Sequence, residues 1–165
     1  MFVLGIDPGL TRTGYGVVAA DRGSVRAIAA GVVRTDTAAP IADRLAELHR
    51  DLATVVRDHS PSQVAIEQVF VNQNRRTAIS VARASGVALL VAGQAGLPVT
   101  EYTPSAVKMA LVGYGNADKQ QVQRVIAMRL GIDEAPKPAD AADALAVALC
   151  HLQASHLHRL LERSQ

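Results

Sequence analysis

Apolar residues at the start of the chain alternate with polar ones and break at turns, which predicts three strands: Phe2 to Ile6, Gly14 to Ala20 and Val25 to Thr35. Pro8-Gly9 and Asp21-Arg22-Gly23 separate them, and such short connections make neighbouring strands antiparallel. After Pro40 the period changes. Ile41, Leu45, Leu48, Leu52, Val55 and Val56 recur at helical spacing with Arg44, Glu47, Arg50 and Asp51 between them, a one-sided helix ending near His59-Ser60-Pro61. Val64 to Ile66 reads as a short buried strand. A polar loop follows, then a helix from about Thr77 to Ala95 and a strand around Val99 to Tyr102. Strands alternating with helices imply parallel pairing in this part.

Pro104 suits the first turn of a helix through Val107, Met109, Ala110 and Leu111, which Gly113-Tyr114-Gly115 breaks. The next begins near Asp118, turns Val122, Val125, Ile126 and Leu130 to one side, and stops at Gly131. Pro136 and Pro138 precede a last helix from about Ala139 to Leu152 or beyond. No repeat, low-complexity tract or linker interrupts the pattern. The expected architecture is one α/β domain over residues 1 to 155 with a short tail over 156 to 165. It has a mixed five-stranded sheet, three strands antiparallel and two parallel, and helices on both faces.

Composition narrows the function. An apolar fraction of 49% in 165 residues is ample for a core and excludes a disordered chain. The single cysteine, Cys150, lies in an apolar run, so no disulfide framework is possible and a reducing compartment suits the chain. No segment has the layout of a signal peptide, and the longest apolar helix is studded with Ser, Arg and Gln, so the expectation is a soluble cytoplasmic protein. The net charge of +2 is unevenly spread. Residues 72 to 137 hold eight Lys and Arg against four acids, whereas 1 to 71 hold seven against eight and 138 to 165 two against three. That middle third carries Lys108, Lys119, Lys137, Arg75, Arg76, Arg83, Arg124 and Arg129, and suits a polyanionic partner as well as it suits ordinary solvated helix faces.

Four carboxylates supply the candidate chemistry. Asp7 closes the first strand before Pro8-Gly9, Glu67 follows Val64-Ala65-Ile66, and Asp140 and Asp143 lie three apart at the start of the last helix. If strand 4 neighbours strand 1 and the last helix packs beside them, all four surround one small volume at the carboxyl ends of the strands. Converged carboxylates stay ionised at neutral pH only beside cations, and oxygen ligands favour Mg²⁺ or Mn²⁺. A pair of such ions would activate water for in-line phosphoryl displacement. Singly, Asp140 also suits a helix N-terminus, Asp7 a turn and Glu67 a solvated strand end.

Gly5-Ile6-Asp7-Pro8-Gly9, Thr13-Gly14-Tyr15-Gly16, Ala65-Ile66-Glu67-Gln68-Val69-Phe70 and Ala139-Asp140-Ala141-Ala142-Asp143-Ala144-Leu145-Ala146 resemble the RuvC family of Holliday-junction resolvases. Val112-Gly113-Tyr114-Gly115 and Lys119-Gln120-Gln121-Val122-Gln123 extend the resemblance, which runs in order to about His151. It implies a ribonuclease-H-like fold, a homodimer, and Mg²⁺-dependent paired nicking of four-way DNA junctions in recombination and repair. It also implies that Asp7, Glu67, Asp140 and Asp143 are catalytic and hold the metal, two ions per site. Phe70 matches a loop aromatic set against bases, and Lys108 and Lys119 match residues near the scissile phosphate. Asn74, Arg75 and Arg76, in the polar loop after Phe70, are further candidate DNA contacts. A branch-migration complex of a RuvA-type junction binder and a RuvB-type hexameric motor is the implied partner. Residues 152 to 165 depart from the pattern, with only Arg159 and Arg163 as fixed positive charges.

With only five aromatic residues in the chain, Phe70, directly after the Glu67 strand, is better sited for base stacking than for a core. The helix from Thr77 to Ala95, uncharged from Ala84 to Gly93, is a candidate dimer contact and equally a helix buried in the monomer. Two equivalent sites on a C2 dimer would match the two-fold symmetry of a junction. Three rivals remain in view. Asp7-Pro8-Gly9 with Thr11 and Gly14 also resembles the phosphate loop of actin-like ATP-binding proteins, but those need two related domains and the chain has one such element. An RNA-processing nuclease would use the same sheet and metal. A non-catalytic junction-binding module would use the acids structurally and cut nothing.

Overall fold

A computed structural model describes residues 1–21, 23–68 and 75–162. Its five strands are β1 (Phe2–Asp7), β2 (Arg12–Asp21), β3 (Ser24–Arg34), β4 (Gln63–Glu67) and β5 (Val99–Tyr102), in the sheet order β3-β2-β1-β4-β5. Its helices are α1 (Ile41–His59), α2 (Arg75–Gln94), α3 (Pro104–Val112), α4 (Lys119–Leu130) and α5 (Ala139–Glu162). β1 to β3 pair antiparallel, whereas β1 with β4 and β4 with β5 pair parallel across α1 and α2. This is the mixed sheet that the alternation predicts. β1 lies at its centre, so Val3, Leu4 and Ile6 are buried although they point to opposite faces.

The two faces are covered differently. Leu48, Leu52 and Val55 of α1 and Ala84, Ala88, Val91 and Ala92 of α2 pack with Leu4, Ile6, Val17, Val64 and Ile66 on one face. On the other, Ala142, Leu145, Ala148 and Leu149 of α5 pack with Val3, Val18 and Ala65, together with Val107 of α3 and Ile126 of α4. α5 lies against the sheet backbone itself. A Cβ added at Gly5 would overlap the Ala144 carbonyl oxygen, one at Gly14 would overlap that of Asp140, and one at Gly16 would come 2.7 Å from Leu145 Cγ. Gly5 pairs with Gly16 and Gly14 with Asp7, so the three glycines form a cross-strand trough in which α5 sits.

Helix ends follow the local chemistry. Thr103 caps α3, accepting from the Ala106 amide at 3.1 Å, with Pro104 as its first residue. Asp118 and Gln121 form a reciprocal capping box at the start of α4, satisfying two otherwise unpaired amides. Gly113 and Gly131 end α3 and α4 in the left-handed conformation that glycine adopts without a steric penalty.

Several boundaries differ from expectation. β2 begins at Arg12 rather than Gly14, because the turn after Asp7 is tight enough for Arg12 and Thr13 to join the ladder opposite Arg34 and Val33. Arg75 and Arg76, expected in a polar loop, are the first residues of α2. α5 continues through Glu162, ten residues past Leu152, so the expected tail is helical over its first part. α2 buries one side and exposes Ile79, Leu89 and Leu90, so it is not the helix wholly buried in the monomer that is one of its two expected environments. By length and composition alone its Thr77–Gln94 stretch, with a mean hydropathy of 1.3, is apolar enough to cross a membrane, the one such helix among the described residues.

Candidate active site

Strand register delivers the first two acids. β1 and β4 are parallel, with Ile6 opposite Ile66, so both strands end at the same edge, carrying Asp7 and Glu67 as adjacent last residues. Their carboxyls lie close enough to act directly on one another, which favours a proton on one of them. Asp7 feels all three of the other acids. Burial, then the Glu67 charge and hydrogen bond, then Asp143 and Asp140 push its carboxyl up from 3.8 to about 8. Glu67 is also raised, by burial first and by Asp143, while its bond to Asp7 and the charges of Lys119 and Lys108 work the other way.

The trough places the other two. With Gly14 against the Asp140 backbone and Gly14 paired to Asp7, the first turn of α5 is set directly over the end of β1. Asp140 and Asp143, one turn apart, are therefore both close enough to act on Asp7. Lys119 Nζ donates to Asp143 Oδ2 at 2.8 Å, and this bond is the main reason its ammonium is held more strongly protonated than usual. Arg12 Nη1 lies 3.8 Å from Asp140 Oδ2, a looser pairing of similar exposure. Among the described residues, no three acid or imidazole side chains are close enough together to grip one metal ion as they stand. An oxygen-only donor set whose members repel one another, two of them paired with side-chain cations, nevertheless has the chemistry that suits a hard divalent cation.

The turn carrying Asp7 is fixed by its own hydroxyl. Thr13 Oγ1, fully buried, donates to the Gly9 carbonyl at 2.7 Å and accepts from the Gly9 amide at 3.3 Å. A second network lies below the site. His151 Nδ1 is 2.9 Å from Tyr102 Oη and its Nε2 is 2.8 Å from Gln63 Oε1, which ties α5 to β4 and β5. Burial lowers the affinity of His151 for a proton, so it sits there as a neutral ring.

The sequence expectations fare unequally. Asp7, Glu67, Asp140, Asp143 and Lys119 come together, and Lys108, half-buried on α3, is near enough to act on Glu67. Phe70 and Asn74 lie outside the described residues, and for Arg75 and Arg76 only the helical backbone is described. Sequence reasoning did not identify Arg12 beside Asp140, the glycine trough or the Tyr102–His151–Gln63 network. The one legible signal was the period-two run Arg12, Gly14, Gly16, Val18, whose small members mark a close backbone approach on one strand face.

Residues 3–151 match the family model for the crossover junction endodeoxyribonuclease RuvC. The chain is 47% identical to the RuvC endodeoxyribonuclease of Syntrophomonas wolfei, over 99% of its own length and 95% of that protein's. It is 54% identical to that of Leifsonia xyli, over 90% and 72%. The structure is similar to Thermus thermophilus RuvC in complex with Holliday junction substrate, with a TM-score of 0.90 and 38% identity over 96% of each chain. The ribonuclease-H-like architecture expected from the resemblance is borne out by that match and by the sheet order.

Proposed function

Because the chain belongs to the RuvC family of crossover junction endodeoxyribonucleases, we propose that it is a metal-dependent nuclease that resolves four-way DNA junctions by paired nicks on opposed strands. The observation that carries this reading is the Asp7 carboxyl, acted on at once by Glu67, Asp143 and Asp140 at the edge of the sheet. Mg²⁺, or Mn²⁺ in its place, would be held by Asp7, Glu67, Asp140 and Asp143 and would supply an activated water and charge stabilisation at phosphorus. The protein's own contributions are electrostatic and positional. Lys119, hydrogen-bonded to Asp143, and Lys108, acting on Glu67, provide cations for a phosphate brought to the acids. Thr13 holds the turn so that Asp7 presents its carboxyl at a fixed height. Hydrolysis there leaves 5′-phosphate and 3′-hydroxyl ends.

Two nicks on a two-fold junction need two sites, which a homodimer supplies. The exposed Ile79, Leu89 and Leu90 of α2 support that helix as the contact between subunits. The nuclease unit is taken as residues 1 to 155. A cytoplasmic setting and cooperation with a RuvA-type and RuvB-type branch-migration complex belong to the same reading, as do base contact by Phe70 and backbone contact by Asn74, Arg75 and Arg76.

The deciding experiment is cleavage of end-labelled junctions with a mobile core, and of matched linear duplexes, with Mg²⁺, with Mn²⁺ and with chelator. Metal-dependent paired nicks in the junction with the duplex intact are expected. Binding without cutting would favour a junction-binding module, and equal cutting of duplex or RNA a general nuclease. Phe70→Ala should lower junction cleavage about tenfold or more while non-specific duplex affinity changes little, since a stacked base contributes roughly 1–3 kcal/mol. An unchanged rate would return Phe70 to a structural role.

A further inference from the structure

Two arginines stand directly opposite one another on the strands that lead away from the site. Arg12 opens β2, Arg34 closes β3, and they are cross-strand partners. Partners in an antiparallel ladder project from the same sheet face, and for this pair it is the face that α5 covers, because Gly14 and Gly16 in the same alternation lie against Asp140 and Leu145. Both side chains therefore emerge beside the first turn of α5, on the Asp140 side of the acids. Lys119 and Lys108 serve Asp143 and Glu67 instead.

Like charges facing each other across a ladder repel, so this pair costs stability unless something else uses it. Little within the chain does. Arg12 has the 3.8 Å contact with Asp140, and both side chains there are solvent-accessible. Arg34 is exposed and has no side-chain hydrogen bond or ion pair among the described residues. Yet the two positions are braced. Arg44 of α1 donates from Nε to Thr35 Oγ1 at 3.0 Å and from Nη2 to Thr11 Oγ1 at 2.9 Å. Thr35 Oγ1 in turn donates to the Leu10 carbonyl at 2.6 Å, and the Thr35 amide to the Thr11 carbonyl at 3.3 Å. Arg44 thus ties together the residue before Arg12 and the residue after Arg34, and fixes the backbone from which the two arginines project.

We propose that Arg12 and Arg34 form a phosphate clamp that binds the DNA backbone next to the cut strand, on the side of the acids away from Lys108 and Lys119. This rests on the resolvase reading above. Two guanidinium forks projecting from cross-strand partners can donate to two successive phosphates, and the brace means that little backbone order is lost on binding. The exposed Arg12–Asp140 contact contributes little and is readily exchanged for a phosphate. The exchange leaves Asp140 without its side-chain cation as the strand arrives, when the acid site most needs a metal.

The test is junction binding in chelator, measured against salt concentration, for the full chain and three variants. Arg12→Gln/Arg34→Gln should flatten the dependence of log K on log salt by about 1.8, near 0.9 for each phosphate that the variant no longer neutralises. Arg12→Lys/Arg34→Lys should restore most of the slope. Arg26→Gln, exposed at the far end of β3, should leave it unchanged. The glutamine double variant should melt no lower than wild type, since it removes a repulsion. An unchanged slope in a double variant that folds, or an equal flattening with Arg26→Gln, overturns the clamp while leaving the resolvase reading in place. A wild-type protein that binds no junction overturns both.

Discussion

Asp7→Asn should reduce junction cleavage by about a thousandfold or more, roughly 4 kcal/mol in the barrier, with junction affinity in chelator within about threefold of wild type because the cations proposed to meet phosphate remain. Loss of binding instead would place the chemistry elsewhere. The same substitution has a second readout that needs no DNA. In the fold the Asp7 carboxyl is pushed from 3.8 to about 8, so between those values the folded protein holds a proton that the unfolded chain has lost. Its contribution to stability is therefore fully present below about pH 4 and is lost as pH rises through about 8. Metal-free wild type should lose stability over that window, whereas Asp7→Asn, with no proton to give up, should not. At pH 8 to 9 in chelator the variant should melt higher by roughly 5 °C, with the gap closing toward pH 4. Mg²⁺ should raise the wild-type Tm and leave the variant's nearly unmoved. Equal melting of the two at pH 9 would mean that the Asp7 environment is not the one described.

Gly14→Ala should have a large effect for a single methyl group, because of where the methyl would sit. The added carbon would overlap the Asp140 carbonyl oxygen and lie 3.3 Å from the Asp140 Cα, and both neighbours are backbone that cannot turn aside. Either α5 lifts from the sheet or its first turn unwinds. Both outcomes separate Asp140 and Asp143 from Asp7 and Glu67. We expect a fall in Tm of about 10 °C or more, as overpacking against backbone costs on the order of 3 kcal/mol. Cleavage measured below the new Tm should fall about a hundredfold, the usual penalty for an ångström of misplacement. Gly93→Ala is the contrast. It lies in α2 with nothing within 4 Å of an added Cβ, and should leave Tm unchanged or slightly higher. If Gly14→Ala folds and cuts like wild type, the trough does not set the site.

These two residues mark the divide between what was legible in the chain and what was not. Asp7 was readable because a carboxylate ending an apolar strand before Pro-Gly is a local pattern, and so were Glu67 and the pair on α5. The helix stops at Gly113 and Gly131, the Asp118 cap and the buried faces of α1 and α4 were readable for the same reason: capping and periodicity are properties of a few consecutive residues. Gly14 belongs to a local motif, yet its function depends on a helix that begins 125 residues later. The charge clamp was hidden more thoroughly. Counted along the chain, residues 1 to 71 are slightly acidic, and only the β2–β3 register brings Arg12 and Arg34 face to face.

The sequence by itself determined the elements, their order, the antiparallel and parallel halves of the sheet and which four acids are candidates for one site, because hydrophobic period, turn residues and chain connectivity act locally. Only the tertiary structure decided that the Asp7 carboxyl is held above its ordinary range, that Lys119 pairs with Asp143 and Arg12 with Asp140, and how close α5 comes to β1 and β2. Those are matters of through-space distance and burial, and electrostatic coupling falls with distance in space whatever the separation along the chain.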